Sequence, residues 1–398
     1  MKTKTLYLSY TGMLEPLGRS QVLAYLSRLS NEYSFTLISF EKSQSLQNKD
    51  AVAALKTECA EFGIDWKPQV YHKKPRLLAT VWDLSVLFWL TFIHSVSGDV
   101  KLVHSRSYIP TIAAWLCSKV TRTPFVFDMR ALWLDELITA GRLDKNTLVY
   151  RILRWLEGKL LKDAAAVVSL TEAAVVYLKK QHPELVNQKF EVITTCVDLN
   201  RFSIRDNHKF NNDELIVGAM GTLLSGWFHL DWLFGFFKQI KKINPSATLK
   251  IVTKDDHSVI KREAVENGLS LEDINIISST PEDVAKNIKD MDVSVMFFKA
   301  EVGKLGSAPT RMGELLACGI PVVGNVGVGD MAGLITRYDV GAIVKDNTEV
   351  EFAKSANELL EYLNNKHSDS NCREAAVDYF SADQGAEKYR QIYQKISS

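Results

Sequence analysis

Between Gly306 and Val323 the chain reads Gly-Ser-Ala-Pro-Thr-Arg-Met-Gly-Glu-Leu-Leu-Ala-Cys-Gly-Ile-Pro-Val-Val. Ser307 and Pro309 suit the opening of a helix, because a Ser side chain accepts from an early backbone N–H and Pro loses no hydrogen bond in the first turn. A helix that starts from a glycine-rich loop presents free N–H groups and the positive end of its dipole. With Ser307 and Pro309 at that end and Lys304 and Arg311 beside it, the stretch reads as an anion seat. Glu314 brings a carboxylate to the same ligand, where ribose hydroxyls are the obvious donors. The chemistry indicated is the binding of a phosphorylated, ribose-bearing ligand. Gly319 then stops the helix, and Ile320-Pro-Val-Val323 reads as a buried strand.

Other polar residues cluster at points where apolar runs end. Thr11 to Gln21 holds Gly12, Gly18 and Arg19 but is not G-x-G-x-x-G, so it gives no dinucleotide signature. His104 and Arg106 follow a short apolar run; a lone His at a strand end is as often structural as ligand-binding. Asp128, Arg130, Asp135 and Glu136 gather four charges around Trp133. Buried without partners they would be expensive, so they either pair or face a cleft, and their place after a buried run favours the cleft. Gly218 to Trp227, with Gly221 and Thr222, is a further loop whose glycines admit close approach of a ligand.

These positions make sense only if strands and helices alternate. Thr5–Ser9, Phe35–Phe40, Leu102–His104, Phe125–Phe127 and Ala166–Ser169 read as strands. Helical stretches lie between them at Ser20–Asn31, Lys49–Phe62, Pro110–Val120 and Lys145–Leu161. That pattern is the mark of βαβ units and a parallel sheet. It restarts after the polar segment Ser203 to Asp213: Leu215–Gly218, Leu230–Ile243, Thr248–Val252, Ile274–Ile277 and Val293–Phe297. The fold class is therefore α/β, two Rossmann-like doubly wound domains at 1–203 and 204–378, and a terminal helix within 379–398 that caps the second domain or crosses back to the first. In such sheets ligands bind at the carboxyl ends of strands, where the loops above stand.

With 398 residues and 46% hydrophobic content, two cores are affordable. A formal net charge of +1 argues against a nucleic-acid partner held by phosphate neutralisation. The five cysteines are scattered, with no C-x-x-C pair and no His at metal-ligand spacing, which suits reduced core thiols in a cytoplasmic protein and no metal. The N-terminus has no signal-peptide h-region. Leu77 to Val96 is apolar and rich in Trp and Phe, yet Asp83 and His94 interrupt it; a buried or membrane-facing helix is favoured over a spanning one. Preceded by His72-Lys-Lys-Pro-Arg76, it suits peripheral docking at the inner face of a membrane as well as it suits a core helix.

Pro309-Thr-Arg-Met-Gly-Glu-Leu-Leu-Ala-Cys-Gly-Ile-Pro-Val-Val323 resembles the P-T-K-x-G-E-x-L-A-x-G-x-P-V-V signature of family-4-type retaining glycosyltransferases of GT-B fold, particularly those of bacterial surface polysaccharide assembly. Pro16 to Val22, Asp128 to Trp133, Thr195 to Phe202 and Gly327 to Asp330 extend the resemblance in order along almost the whole chain. It implies a nucleotide-sugar donor held by the second domain through Gly221, Thr222, Glu301, Gly303, Ser307, Pro309, Thr310 and Glu314, with Glu314 on the donor ribose. It implies a glycan or lipid-linked hydroxyl acceptor held by the first through Gly18, Arg19, His104, Arg106 and Trp133, and transfer with retention and no metal or other cofactor. Asp128, Arg130, Lys304 and Arg311 are the catalytic candidates. The family's E-x7-E pattern would put its first glutamate at 306, where this chain has Gly306; Glu301, or backbone of the Gly303 to Ala308 loop, stands in. The family's lysine in the first loop of the second domain is also missing from Ser225-Gly-Trp-Phe-His229. An epimerase or phosphorylase of the same fold, or a non-catalytic nucleotide-sugar binder, is the rival reading.

Overall fold

The computed structural model describes residues 2–97, 99–205, 210–365 and 369–397, with the side chains of 76, 212 and 365 left aside. Its chain falls into two units: Met1–Cys196 with Ala382–Ser398, and Val197–Ser381. Of the polar segment read as a linker, 206–209 lie outside the described residues.

The first unit is built on seven parallel strands: β1 (Thr3–Ser9), β2 (Tyr33–Lys42), β3 (Asp65–Tyr71), β4 (Leu102–Arg106), β5 (Phe125–Met129), β6 (Ala166–Ser169) and β7 (Phe190–Val192). Their order is β3-β2-β1-β4-β5-β6-β7. β4, β5 and β6 are buried along their whole length, which is why they read as continuous apolar runs instead of alternating ones. The order reverses between β1 and β4, and there Ser9 lies opposite Arg106.

The second unit repeats the plan with six strands: β8 (Ile216–Met220), β9 (Thr248–Val252), β10 (Ile274–Ile277), β11 (Val293–Met296), β12 (Val322–Asn325) and β13 (Gly341–Val344), in the order β10-β9-β8-β11-β12-β13. Its reversal falls between β8 and β11. Phe234, Phe236 and Phe237 fill the core on one face of this sheet, and Met312, Leu315, Leu316 and Ile335 fill it on the other.

Four features depart from the sequence reading. Strands β3, β7 and β13 lie outside the runs read as strands; β3 is an edge strand that carries Pro68, a residue tolerated only where no central ladder is needed. The terminal helix begins at Ala382 instead of Tyr379, because Ser381 leaves helical geometry to bridge Val197. That helix packs in the first unit, with Tyr389, Ile392 and Tyr393 buried against Tyr7, Tyr25, Leu26 and Phe35. All five cysteines are buried and unpaired.

The helix Arg76–Ser97 is not a core helix. Ala79, Asp83, Leu87 and Thr91, four residues apart, form its buried stripe. Asp83 in that stripe accepts from Tyr10 Oη at 2.8 Å and from the His72 backbone N–H at 3.1 Å, with His72 Nδ1 2.6 Å from its other oxygen. The opposite face leaves Leu77 77%, Trp82 60%, Trp89 59% and Val96 64% exposed.

Candidate functional site

In the second unit the loops after β8 and β11 flank the point where strand order reverses, the usual ligand crevice of a doubly wound sheet. Gly221 to His229 is shaped from below by Asp255, whose Oδ2 accepts from the N–H groups of Leu223 at 2.5 Å and Leu224 at 2.9 Å. The same loop is fastened to the end of β11: His229 N–H donates to Phe297 O at 2.9 Å and Lys299 N–H to Trp227 O at 3.0 Å. Asn325, the last residue of β12, holds Phe298 from both sides, accepting from its N–H and donating to its C=O, each at 2.8 Å. Gly329 N–H meets Lys304 O at 2.9 Å. Three strand ends are thereby locked together around one opening.

That opening is a cavity of ≈ 490 Å³. Of the residues marked for the donor and its phosphates, Gly221, Thr222, Lys304, Ser307, Pro309, Thr310, Arg311 and Glu314 line it; Glu301 and Gly303 do not. Ser225, Trp227 and Phe298 add to its wall. The helix at its floor runs Thr310–Ala317 with Pro309 as N-cap, so it opens three residues later than Ser307. Val302–Gly306 is a separate 3-10 turn that leaves Ser307 extended. Pro309 offers no side-chain cap, so the first N–H groups of the helix remain for a ligand.

Gly221, at φ +95°, explains how Arg311 reaches its place. A Cβ there would stand 2.5 Å from Arg311 Cζ, so the guanidinium lies where only glycine leaves room. Arg311 Nη1 donates to Met220 O at 2.6 Å, and its Cζ stands 5.5 Å from the centre of the Phe298 ring. Lys304 Nζ sits 3.9 Å from the Trp227 ring centre. Burial pulls the Arg311 guanidinium below its ordinary pKa, opposed by Glu314 and Asp255. Burial likewise pushes the Glu314 carboxyl up, opposed by Arg201 and Arg311. Among the described residues nothing donates a hydrogen bond to the Glu314 carboxylate. The site therefore offers two desolvated, opposite charges in one cavity without pairing them.

The first unit gathers His104, Arg106, Asp128 and Arg130 at the carboxyl ends of β4 and β5. Asp128 does not face a cleft. Its Oδ1 lies 3.2 Å from Arg130 Nη1, and its Oδ2 takes the Tyr389 hydroxyl at 3.1 Å and lies 3.4 Å from His104 Nε2. His104 Nδ1 is 2.6 Å from the Tyr393 hydroxyl, and its ring stacks on Tyr7 at 4.3 Å. Burial alone would raise the Asp128 carboxyl; Arg130, His104 and Arg106 outweigh it and hold it well below the usual range. Burial depresses His104, so the ring is neutral. Asp135, read with Asp128 as cleft-facing, is paired too, 2.9 Å from Arg154 Nη2 and accepting from Tyr177 Oη at 2.8 Å. Trp133 packs on Tyr108 at 5.3 Å. Gly18 is buried under the first loop, and Arg19 is a surface residue paired with Glu58. Neither joins the cluster at the ends of β4 and β5.

Asp255, Asn325 and Trp227 escaped the sequence reading, as did Glu41, which holds the first loop by accepting from Met13 N–H at 2.7 Å and Leu14 N–H at 3.1 Å. Trp227 and Asn325, each inside a glycine-rich stretch, left a signal; Asp255 and Glu41 left none. Among the described residues no group of three or more His, Cys, Asp or Glu could hold a metal ion.

Residues 56–193 match the model of the glycosyl transferase 4-like domain, and residues 214–362 that of glycosyl transferases group 1. No curated protein matches the chain. Among solved structures, a glycosyltransferase from Rickettsia africae is similar at TM-score 0.69 and 15% identity, over 99% of this chain and 98% of that one. Anabaena HepE in complex with UDP-glucose is similar at TM-score 0.64 and 15% identity, over 99% of each chain. A putative UDP-N-acetylglucosamine 2-epimerase from Listeria monocytogenes reaches TM-score 0.59 at 14% identity, over 99% and 96%. At these identities the likeness shows a shared GT-B fold.

Proposed function

The chain belongs to the group 1 glycosyltransferases, which transfer a sugar from a nucleotide donor, and from that premise we propose that it acts with retention, without a metal, on a hydroxyl acceptor in surface polysaccharide or related glycan assembly. The observation that carries the donor assignment is the cavity holding Arg311 and Glu314, both half-buried and neither ion-paired with the other. Glu314 accepts from the donor ribose hydroxyls. The diphosphate lies against the Thr310–Ala317 helix N-terminus, Lys304 and Arg311. HepE, of the same fold, binds UDP-glucose, which supports a nucleoside diphosphate sugar here.

In the transfer the bond between the anomeric carbon and the leaving phosphate oxygen breaks, and its electron pair stays on the diphosphate. The acceptor oxygen bonds to that carbon on the same face and gives its proton to the departing phosphate. Charge grows on the diphosphate as it leaves, so Lys304, Arg311 and the helix end stabilise the transition state more than the bound donor. Asp128, paired and held far below neutral, is unsuited to be a general base. We assign it instead to holding the strand ends beneath the acceptor.

The exposed apolar face of Arg76–Ser97 follows Lys73 and Lys74 and supports docking on an anionic, cytoplasmic membrane surface, where a lipid-linked acceptor resides. The experiment that tests the reaction is release of nucleoside diphosphate from a nucleotide sugar with and without a hydroxyl acceptor. Release that depends on acceptor is expected; release needing only water or inorganic phosphate would overturn the assignment in favour of an epimerase or phosphorylase.

A further inference from the structure

Arg106 is the last residue of β4, at the reversal point of the first sheet, and only 5% of it is exposed. Its Nε is sealed from solvent without an acceptor, and among the described residues no carboxylate or carbonyl meets its guanidinium. The titratable groups facing it come from three elements: the charged Asp128 and Arg130 at and after the end of β5, and the neutral hydroxyls of Tyr7 on β1 and Tyr389 on the terminal helix. His104 beside them is neutral. Asp128 spends its hydrogen bonds on Arg130, Tyr389 and His104 and gives none to Arg106. Two buried guanidiniums thus share one carboxylate, and a positive charge is left over in a place where unpaired charge is expensive. Directly after Arg106, Ser107 gives the helix Tyr108–Thr121 no side-chain cap, so the N-terminus of a fourteen-residue helix opens at the same strand end.

We propose that the carboxyl end of β4 is a seat for an anionic group carried by the acceptor, a phosphate or a carboxylate, with Arg106 as its ligand. That this anion belongs to the acceptor rests on the transferase reading; the seat itself does not. A sugar phosphate, a uronic acid and a prenyl phosphate would each satisfy it.

The test follows thermal stability of the full chain at fixed ionic strength with glucose 6-phosphate, glucuronate and geranyl phosphate, against neutral glucose and geraniol. It is run in an Arg311→Ala background, which removes the donor seat. At least one anion raises Tm while the neutral compounds do not, and Arg106→Met weakens that binding by roughly tenfold or more. In the free protein Arg106→Met keeps or raises Tm, since an uncompensated buried charge is replaced by an apolar side chain of similar length; a purely structural arginine would lower it. Should that variant not fold, Arg106→Lys is read, with the same loss of affinity expected. No stabilisation by any of the three anions, or stabilisation unchanged by the Arg106 variants, overturns the proposal. Nucleotide-sugar binding, retained in Arg106→Met and lost in Arg311→Ala, reports on the donor reading separately.

Discussion

Arg311 donates to the Met220 carbonyl at 2.6 Å and forms no ion pair with Glu314, three residues further along the same helix. At that spacing an Arg and a Glu ordinarily meet. Here the cation is drawn back under Gly221 and the anion is left facing the cavity, so each is available to a different part of one ligand.

Replacing Glu314 with Gln should separate binding from stability. Gln cannot accept as strongly from ribose hydroxyls, and nucleotide-sugar affinity is expected to fall by roughly tenfold or more. The free protein should lose no Tm, because a desolvated carboxylate has gone. Calorimetric titration and a melting curve on the same sample check both.

The raised Glu314 pKa has a sign. Its folded form binds the proton more tightly than the unfolded chain, so its contribution to the stability of the free protein is present below the ordinary value of 4.5 and lost as pH rises through the raised one. Donor binding needs the carboxylate and should run the opposite way, weakening as pH falls through the same window. A pH series of donor affinity on wild type and Glu314→Gln checks this, and only wild type should show the dependence.

Gly221→Ala should act through Arg311. Positive φ strains the new residue, and its Cβ would occupy the place of the guanidinium. A loss of kcat of at least tenfold, with the fold retained by circular dichroism, is expected.

Asp128→Asn should destabilise the first unit by about 3 kcal/mol in urea denaturation, because it leaves Arg130 buried without its carboxylate. Tyr389→Phe removes one neutral donor to the same oxygen and should lose about 1 kcal/mol. The Asp128 pKa is depressed, so its stabilisation is complete above the unfolded value near 3.8 and is lost as pH falls towards the folded one. Asp128→Asn should therefore flatten the acid limb of the stability curve.

Trp82→Glu with Trp89→Glu should abolish sedimentation with vesicles containing anionic lipid, leaving Tm unchanged because both rings are exposed. Wild-type sedimentation should weaken in high salt.

Much of the scaffold could be read from the chain because its strands are buried on both faces and its helices carry one apolar side. Ala166–Ser169, Thr248–Val252 and the helix Leu230–Ile243 stand where their apolar runs do. Period alone could not find β3, interrupted by Pro68, or the break at Ser381, which depends on Val197 far away in sequence. Within the site, the glycine-rich loop and the helix after it were legible as an anion seat. Asp255 was not, since an aspartate that shapes a loop about thirty residues upstream looks like any surface charge. The four charges around Trp133 misled for a related reason: Asp135 finds Arg154 and Asp128 finds Tyr389, partners that local sequence does not reveal.

The donor seat around Arg311 and Glu314 is the centre of the proposed activity. A thermal-shift panel of nucleoside diphosphate sugars on wild type, Glu314→Ala and Arg311→Ala tests it. At least one nucleotide sugar should raise the wild-type Tm in proportion to the logarithm of its concentration and leave both variants unmoved. A shift that persists in both variants, or no shift with any nucleotide sugar, would contradict the assignment.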